Sequence, residues 1–221
     1  MTAAFDFSQA QSTATALRTD ALGDVMAQMG LRMSFARDEE IFGQDEDADL
    51  VYRITHGAVR TTRLMSDGRR QIGEFYFAGE LFGLEHGEVH KFSAEALSDC
   101  TVQVLKRSAL RKLAQSDPGV ERMVWEATAR ELERAQEHVL LLGRKTACER
   151  VASLLQRVAD RFGPEAAELP MGRQDMADYL GLTIETVSRM LTQLQGEAIV
   201  AFRNTRRFEI CKRGALEAIA A

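Results

Sequence analysis

Cysteine is scarce in this 221-residue chain, and none occurs before Cys100. Cys100, Cys148 and Cys211 are odd in number, far apart and never in C-x-x-C spacing. That pattern excludes a disulfide framework and any cysteine-only zinc or iron–sulfur site, and it fits a reducing compartment. No apolar run approaches the roughly 20 residues of a membrane-spanning helix. Residues Met1–Gln11 lack a basic start followed by an apolar block, so no secretory signal is expected, and the chain reads as cytoplasmic with no membrane partner. Walker loop, GxSxG elbow, HExxH and paired catalytic carboxylates are all missing, so nothing points to an enzyme, a metal or a cofactor.

What is present is ordinary for a globular chain: 45% hydrophobic and 28% charged residues. The length allows one large or two small domains. The net charge of −5 argues mildly against an anionic partner, but it is unevenly placed. Residues 1–143 hold 16 Lys/Arg against 23 Asp/Glu, whereas residues 144–221 hold 12 against 10. The only net positive segment is C-terminal, as in a nucleic-acid-binding module joined to an acidic partner domain.

Residues 1–19 read as a flexible arm. From Asp20 onward, Leu22, Val25, Met26 and Met29 recur at helical spacing up to Gly30 and predict a short helix. From Arg32 to Lys106 short alternating stretches predict strands (50–54, 58–60, 71–77, 101–105), punctuated by His56-Gly57, Asp67-Gly68, Ala78-Gly79 and Ser98-Asp99. Asp67-Gly68 is a hairpin signal, and so many short strands suggest a small β-barrel or roll. The acidic stretch Asp38–Asp49 reads as a solvated loop. Ser108–Ser116 predicts a short helix stopped by Asp117-Pro118, and a long helix follows over 118–143. Along it Trp125, Thr128, Leu132, Ala135, Val139 and Leu142 alternate in steps of three and four. A seam of period 3.5 suits a second copy of the same helix packing knobs-into-holes; the alternative is packing on the chain's own roll. Thr146-x-x-Glu149 is a capping box opening a further helix, with Val151, Leu154, Leu155, Val158 and Phe162 as its apolar stripe.

The most informative stretch starts at Met171. Arg173–Leu180 predicts a short helix, Gly181 a tight turn, and Thr183 the cap of a second helix over 184–195 with Ile184, Val187, Leu191 and Leu194 buried. Glu185, Ser188 and Arg189 then project together from another face. Two short helices joined at a glycine, with polar residues leading the second, suit a reader of the DNA major groove. Arg189 can donate two hydrogen bonds to guanine, Glu185 can accept one from cytosine, and Ser188 serves several partners. Arg173, Gln174, Thr183 and Thr186 are placed to hold phosphates. The plainer reading of a lone ExxSR is a solvated helix face with an i, i+4 ion pair; helix, turn, cap and stripe in register weigh against it. Residues 199–202 and 208–210 predict two strands around a basic turn containing Arg203 and Arg206, a wing suited to backbone contact.

In these residues the chain resembles the cyclic-AMP-receptor/fumarate-nitrate-reductase-regulator family over about 20–221. The strings carrying the resemblance are Tyr52–Arg60, Asp67–Ile72, Gly79–Gly83 and Arg173–Arg189, the last looking like the FixK branch. The resemblance implies an α+β fold: a jelly-roll-like, cyclic-nucleotide-binding-like β-roll (20–117), a dimerisation helix (118–143) and a winged helix-turn-helix (144–221). It implies a homodimer on double-stranded DNA with a TTGA…TCAA-like palindrome, recruiting RNA polymerase as an activator in low-oxygen or nitrogen-fixation control. Leu84 and Phe92-Ser93 stand where cyclic-AMP receptors carry their Glu and Arg-Ser, and the oxygen sensors' N-terminal cysteine cluster is missing, so neither ligand is expected. Ile184 stands where those receptors place a further base-reading arginine. An alternative is a small effector, haem or redox change sensed in the roll, for which His86 and His90 are the histidine candidates. Cys148, at a capped helix start, is a candidate redox residue, with an inert buried thiol as the plainer reading.

Overall fold

The computed structural model describes residues 25–163 and 167–221. The expected arm over 1–19 and the beginning of the expected first helix lie outside the described residues. Val25–Met29 is helical, with Met26 buried and Met29 exposed. By contact pattern the chain forms two compact units. One comprises the described residues up to Arg60 with Phe75–Leu132, and the other Thr61–Glu74 with Glu133–Ala221.

Eight strands build the roll: β1 (Leu31–Phe35), β2 (Glu40–Phe42), β3 (Leu50–His56), β4 (Ala58–Leu64), β5 (Arg70–Phe77), β6 (Leu81–Phe82), β7 (Ser93–Ala96) and β8 (Cys100–Lys106). They form two four-stranded sheets in the orders β1-β8-β3-β6 and β2-β7-β4-β5, a double-sheet jelly roll. Tyr52, Ile54, Phe82 and Val102 from one sheet meet Phe42, Val59, Tyr76 and Ala94 from the other in one buried cluster. Phe82 lies at its centre, 4.9 Å from the Tyr52 ring and 5.7 Å from that of Tyr76. The turn between β3 and β4 requires Gly57: its φ is +86°, and an added Cβ would lie 2.5 Å from the Asp99 carbonyl oxygen. The acidic stretch is not wholly loop. Glu40–Phe42 pairs with β7 because Phe42 has a buried place in the core.

Helix α1 (Arg107–Ser116) is followed by the 27-residue α2 (Pro118–Arg144). Val120, Met123 and Val124 of α2 pack with Met26, Val51, Leu105 and Leu110, a second core of the first unit. The period-3.5 seam does not share that burial. Trp125 is 75% exposed, Leu132 60% and Val139 70%, and Thr128 and Ala135 are exposed as well; Leu142 is half-buried. Packing on the chain's own roll therefore does not account for the seam.

The second unit contains α3 (Ala147–Phe162), β9 (Ala167–Glu168), α4 (Arg173–Leu180), α5 (Ile184–Gly196), β10 (Val200–Phe202), β11 (Arg207–Ile210) and α6 (Arg213–Ala220). Thr146 opens α3 with both halves of a capping box: Glu149 N–H donates to the Thr146 hydroxyl and Thr146 N–H to the Glu149 carboxylate. α3 buries Val151, Leu154, Leu155 and Val158, but Phe162, expected in the same stripe, is exposed at the helix end. Strands β10, β11 and β9 make a small antiparallel sheet in that order. Truncating Phe82 removes ring contacts from a closed core, so Phe82→Ala is expected to cost about 3–5 kcal/mol in urea unfolding. A loss under about 1 kcal/mol would contradict the packing described.

Candidate nucleic-acid interface

The site is built on α4, its turn and α5. Only eight residues long, α4 depends on its ends. At its start the Gly172 N–H donates to the Asp175 carboxylate at 3.1 Å. At its end Gly181 takes the left-handed conformation with φ +61°. The last carbonyls of α4 have side-chain partners: His138 Nε2 lies 2.9 Å from the Tyr179 oxygen, and Arg150 Nη1 donates to that of Leu180 at 2.9 Å. The Arg150 guanidinium also donates to the Lys145 and Leu142 carbonyls, at 2.9 and 2.8 Å, so one side chain closes the ends of two helices.

Thr183 caps α5, accepting from Thr186 N–H at 3.3 Å. Met176, Ala177 and Leu180 of α4 and Val187, Leu191 and Leu194 of α5 are all buried. That burial fixes the rotation of α5 and turns Glu185 and Arg189 into solvent, with Ser188 half-buried between them. Ile184 departs from expectation: at 37% exposure it belongs to the outer rim of α5, one residue after the cap, where no neighbouring turn covers it. The Glu185 carboxyl is held below its usual range by its own backbone N–H and by the Thr183 hydroxyl. Among the described residues the Arg189 guanidinium has no hydrogen-bond or ion-pair partner. The i, i+4 pair with Glu185 that the plainer reading supposes is thus absent among the described residues, and the two groups present separate donor and acceptor sites.

The expected backbone-contacting residues differ in freedom. Thr183 is exposed and Thr186 half-buried. Gln174 is exposed but donates to Asp178 at 2.8 Å. The Arg173 guanidinium rests 5.8 Å from the centre of the Phe202 ring, a cation–π contact that ties the helix to the wing. In the wing, Arg203 pairs with Glu209 at 2.7 Å and Arg206 donates to the Pro170 carbonyl at 3.2 Å. Asn204 shapes the turn between β10 and β11, its side-chain oxygen accepting from the backbone N–H groups of Arg206 and Arg207 at 2.9 and 2.7 Å. Sequence reasoning singled out neither Asn204, although an asparagine in a short inter-strand segment is itself a turn signal, nor Arg150 and His138, whose roles depend on distant carbonyls.

The sensing candidates fare differently. Burial, with Glu197 and Glu149 nearby, pushes the Cys148 thiol up. Less thiolate is therefore held at this helix start at neutral pH. His86 and His90 lie in an irregular segment; His86 is exposed, while buried His90 stacks 3.6 Å from Phe42 and has Nδ1 3.3 Å from Glu85. Among the described residues no group of three or more His, Cys, Asp or Glu converges as a metal site.

A capped helix, a left-handed glycine turn, a second helix with an outward polar edge and a basic two-stranded wing define a winged helix-turn-helix, a DNA-binding module. Comparison with known proteins gives this class its family. Residues 149–219 match the Crp-like helix-turn-helix domain and residues 32–117 the cyclic nucleotide-binding domain. The nitrogen fixation regulation protein FixK of Azorhizobium caulinodans is 49% identical over 198 residues, covering 87% of this chain and 80% of the relative. That of Rhizobium meliloti is 38% identical over 215 residues, covering 96% and 99%. The solved structure of FixK2 from Bradyrhizobium japonicum superposes with a TM-score of 0.84 at 47% identity, covering 87% of this chain and 98% of that one. The chain belongs to the cyclic-AMP-receptor/fumarate-nitrate-reductase-regulator family and is a transcriptional regulator of the FixK type with a DNA-binding helix-turn-helix. The relatives are transcription regulators, not enzymes, and among the described residues no helix is long and apolar enough to cross a membrane.

A raised thiol pKa means less thiolate at neutral pH. Cys148 is therefore expected to alkylate with iodoacetamide more slowly than exposed Cys211 at pH 7.5, the gap narrowing as pH rises into the alkaline range. Peptide mass spectrometry reads both sites, and faster labelling of Cys148 would contradict the assignment.

Proposed function

We propose that the chain works as a homodimer that reads a TTGA…TCAA-like palindrome through Glu185, Ser188 and Arg189. The observation that carries this reading is the outward edge of α5, where an unpaired guanidinium and an ionised carboxylate stand one helical turn apart. Arg189 would donate two hydrogen bonds to a guanine, Glu185 would accept from a cytosine and Ser188 would serve an adjacent base edge. Arg173, Gln174, Thr183, Thr186, Arg203 and Arg206 would hold phosphates and fix the orientation of α5. Arg203 must exchange Glu209 for a phosphate to do so. The exposed seam of α2 (Trp125, Thr128, Leu132, Ala135 and Val139, with Leu142 at its end) supports a parallel dimer through that helix.

The regulator is cytoplasmic, acts as an activator by recruiting RNA polymerase, and belongs to low-oxygen or nitrogen-fixation control; nitrogen fixation regulation is the role in the names of its FixK relatives. It acts without cyclic AMP or an iron–sulfur cluster. Two features support the first absence. Phe42 and Tyr52 stack with Phe82 and His90 of the Gly79–Phe92 segment, and the Ser93 hydroxyl already accepts from Gln44 N–H at 2.9 Å. The lack of cysteine before Cys100 supports the second.

Purified protein with no added ligand is expected to prefer a TTGA-N6-TCAA duplex over a scrambled one across a salt series. Arg189→Ala should lose about 1–3 kcal/mol of discrimination at one base pair per half-site while keeping its affinity for scrambled DNA. Equal affinity of the wild-type chain for both duplexes, or unchanged preference in Arg189→Ala, would overturn the assignment.

A further inference from the structure

The hairpin between β4 and β5 groups by contact with the DNA-binding unit. Its residue Arg70 reaches two carboxylates of α4. Arg70 Nε donates to Asp178 Oδ2 at 2.8 Å, and Nη2 donates to Asp175 Oδ1 at 2.8 Å and lies 2.7 Å from Asp178 Oδ2. The side chains of Asp175 and Asp178 are only 12% and 14% exposed, so neither charge is well hydrated without a cation beside it. Burial alone would lower the Arg70 pKa, but the two carboxylates outweigh it and hold the guanidinium above its ordinary value. Asp175 is also the residue that caps α4 at Gly172. Four residues further along β5, buried Glu74 pairs with Arg157, whose Nη1 donates to the Tyr179 hydroxyl at 2.8 Å.

We propose that Arg70 and Glu74 are positioning residues for DNA reading: the start of β5 holds α4, and α4 sets the placement of α5. This rests on the DNA-binding role of α5, not on any particular base sequence. An eight-residue helix has little stability of its own, and its placement follows from what grips it. The C-terminal grips, His138 and Arg150, act on backbone carbonyls and leave rotation about their hydrogen bonds open. The forked contact of Arg70 on two carboxylates at i and i+3 fixes rotation as well, because both must face one planar group. Since β4 and β5 continue through the hairpin into the roll, a shift in those strands would be felt at α4 without any contact from the hairpin to DNA.

The test uses full-length protein and a duplex that the wild-type chain itself selects from a random pool, so failure of the TTGA…TCAA assignment does not affect it. Arg70→Ala is expected to lower affinity about tenfold. The salt slope should stay unchanged, because Arg70 neutralises no phosphate. Amide hydrogen exchange should speed up in Arg173–Leu180. Arg70→Glu should lose more, and adding Asp178→Lys to Arg70→Glu should restore affinity to within about threefold. If Arg70→Glu fails to fold, Arg70→Lys carries the test: it keeps the charge, loses the fork, and should bind between wild type and Arg70→Ala. Affinity of Arg70→Ala within twofold of wild type, a shallower salt slope, or a folded double variant with no recovery would each overturn the proposal.

Discussion

A helix that buries one side and leaves Trp125, Leu132 and Val139 in water is an unfinished structure, and this constraint organises the chain. Fully burying a large apolar side chain contributes about 1.5–3 kcal/mol. Three such residues at strict heptad spacing therefore represent several kcal/mol that remain available to a second surface of the same period. A copy of the same helix has that period by construction. On the proposed reading the pairing does more than stabilise: a two-fold axis along the seam duplicates α5 and imposes a palindromic target.

The DNA-binding unit solves a different problem. Its elements are too short to be stable alone, and their positions are set by polar groups at helix ends. Thr146 and Glu149, Asp175 on Gly172, Thr183 on Thr186, and Arg150 on three carbonyls form a continuous set of caps from the end of α2 to the start of α5. Each satisfies backbone groups that a helix terminus leaves open. The apolar stripe of α5 then determines which edge faces outward, and that edge leaves Arg189 unpaired. A guanidinium held ready in this way loses no existing ion pair when it meets a base, whereas Arg203 in the wing must give up Glu209.

Much of this was legible in the sequence where the signal is local. The long helix, the Thr146 capping box, the Gly181 turn, α4 and the extent of α5 follow from periodicity and cap chemistry, and the structure places them within a residue or so of expectation. Strands β1, β2, β6 and β7, together with β9 and α6, were not anticipated. β6 and β9 have two residues each, too few to show alternation, and β2 lies among acidic residues that read as loop. Period alone puts Ile184 and Phe162 in buried stripes, yet each sits at a helix end and is exposed. The partners of Arg70 lie more than 100 residues away, and no pattern along a single chain reveals such a pair.

Whether two reading helices act together on one duplex is decided by hydroxyl-radical footprinting and guanine-methylation interference of the wild-type chain on its selected site. A dimer gives two protected tracts, related by a two-fold axis and about one helical turn apart, each including one guanine whose methylation at N7, in the major groove, blocks binding. A single protected tract, or protection insensitive to guanine methylation, would contradict it.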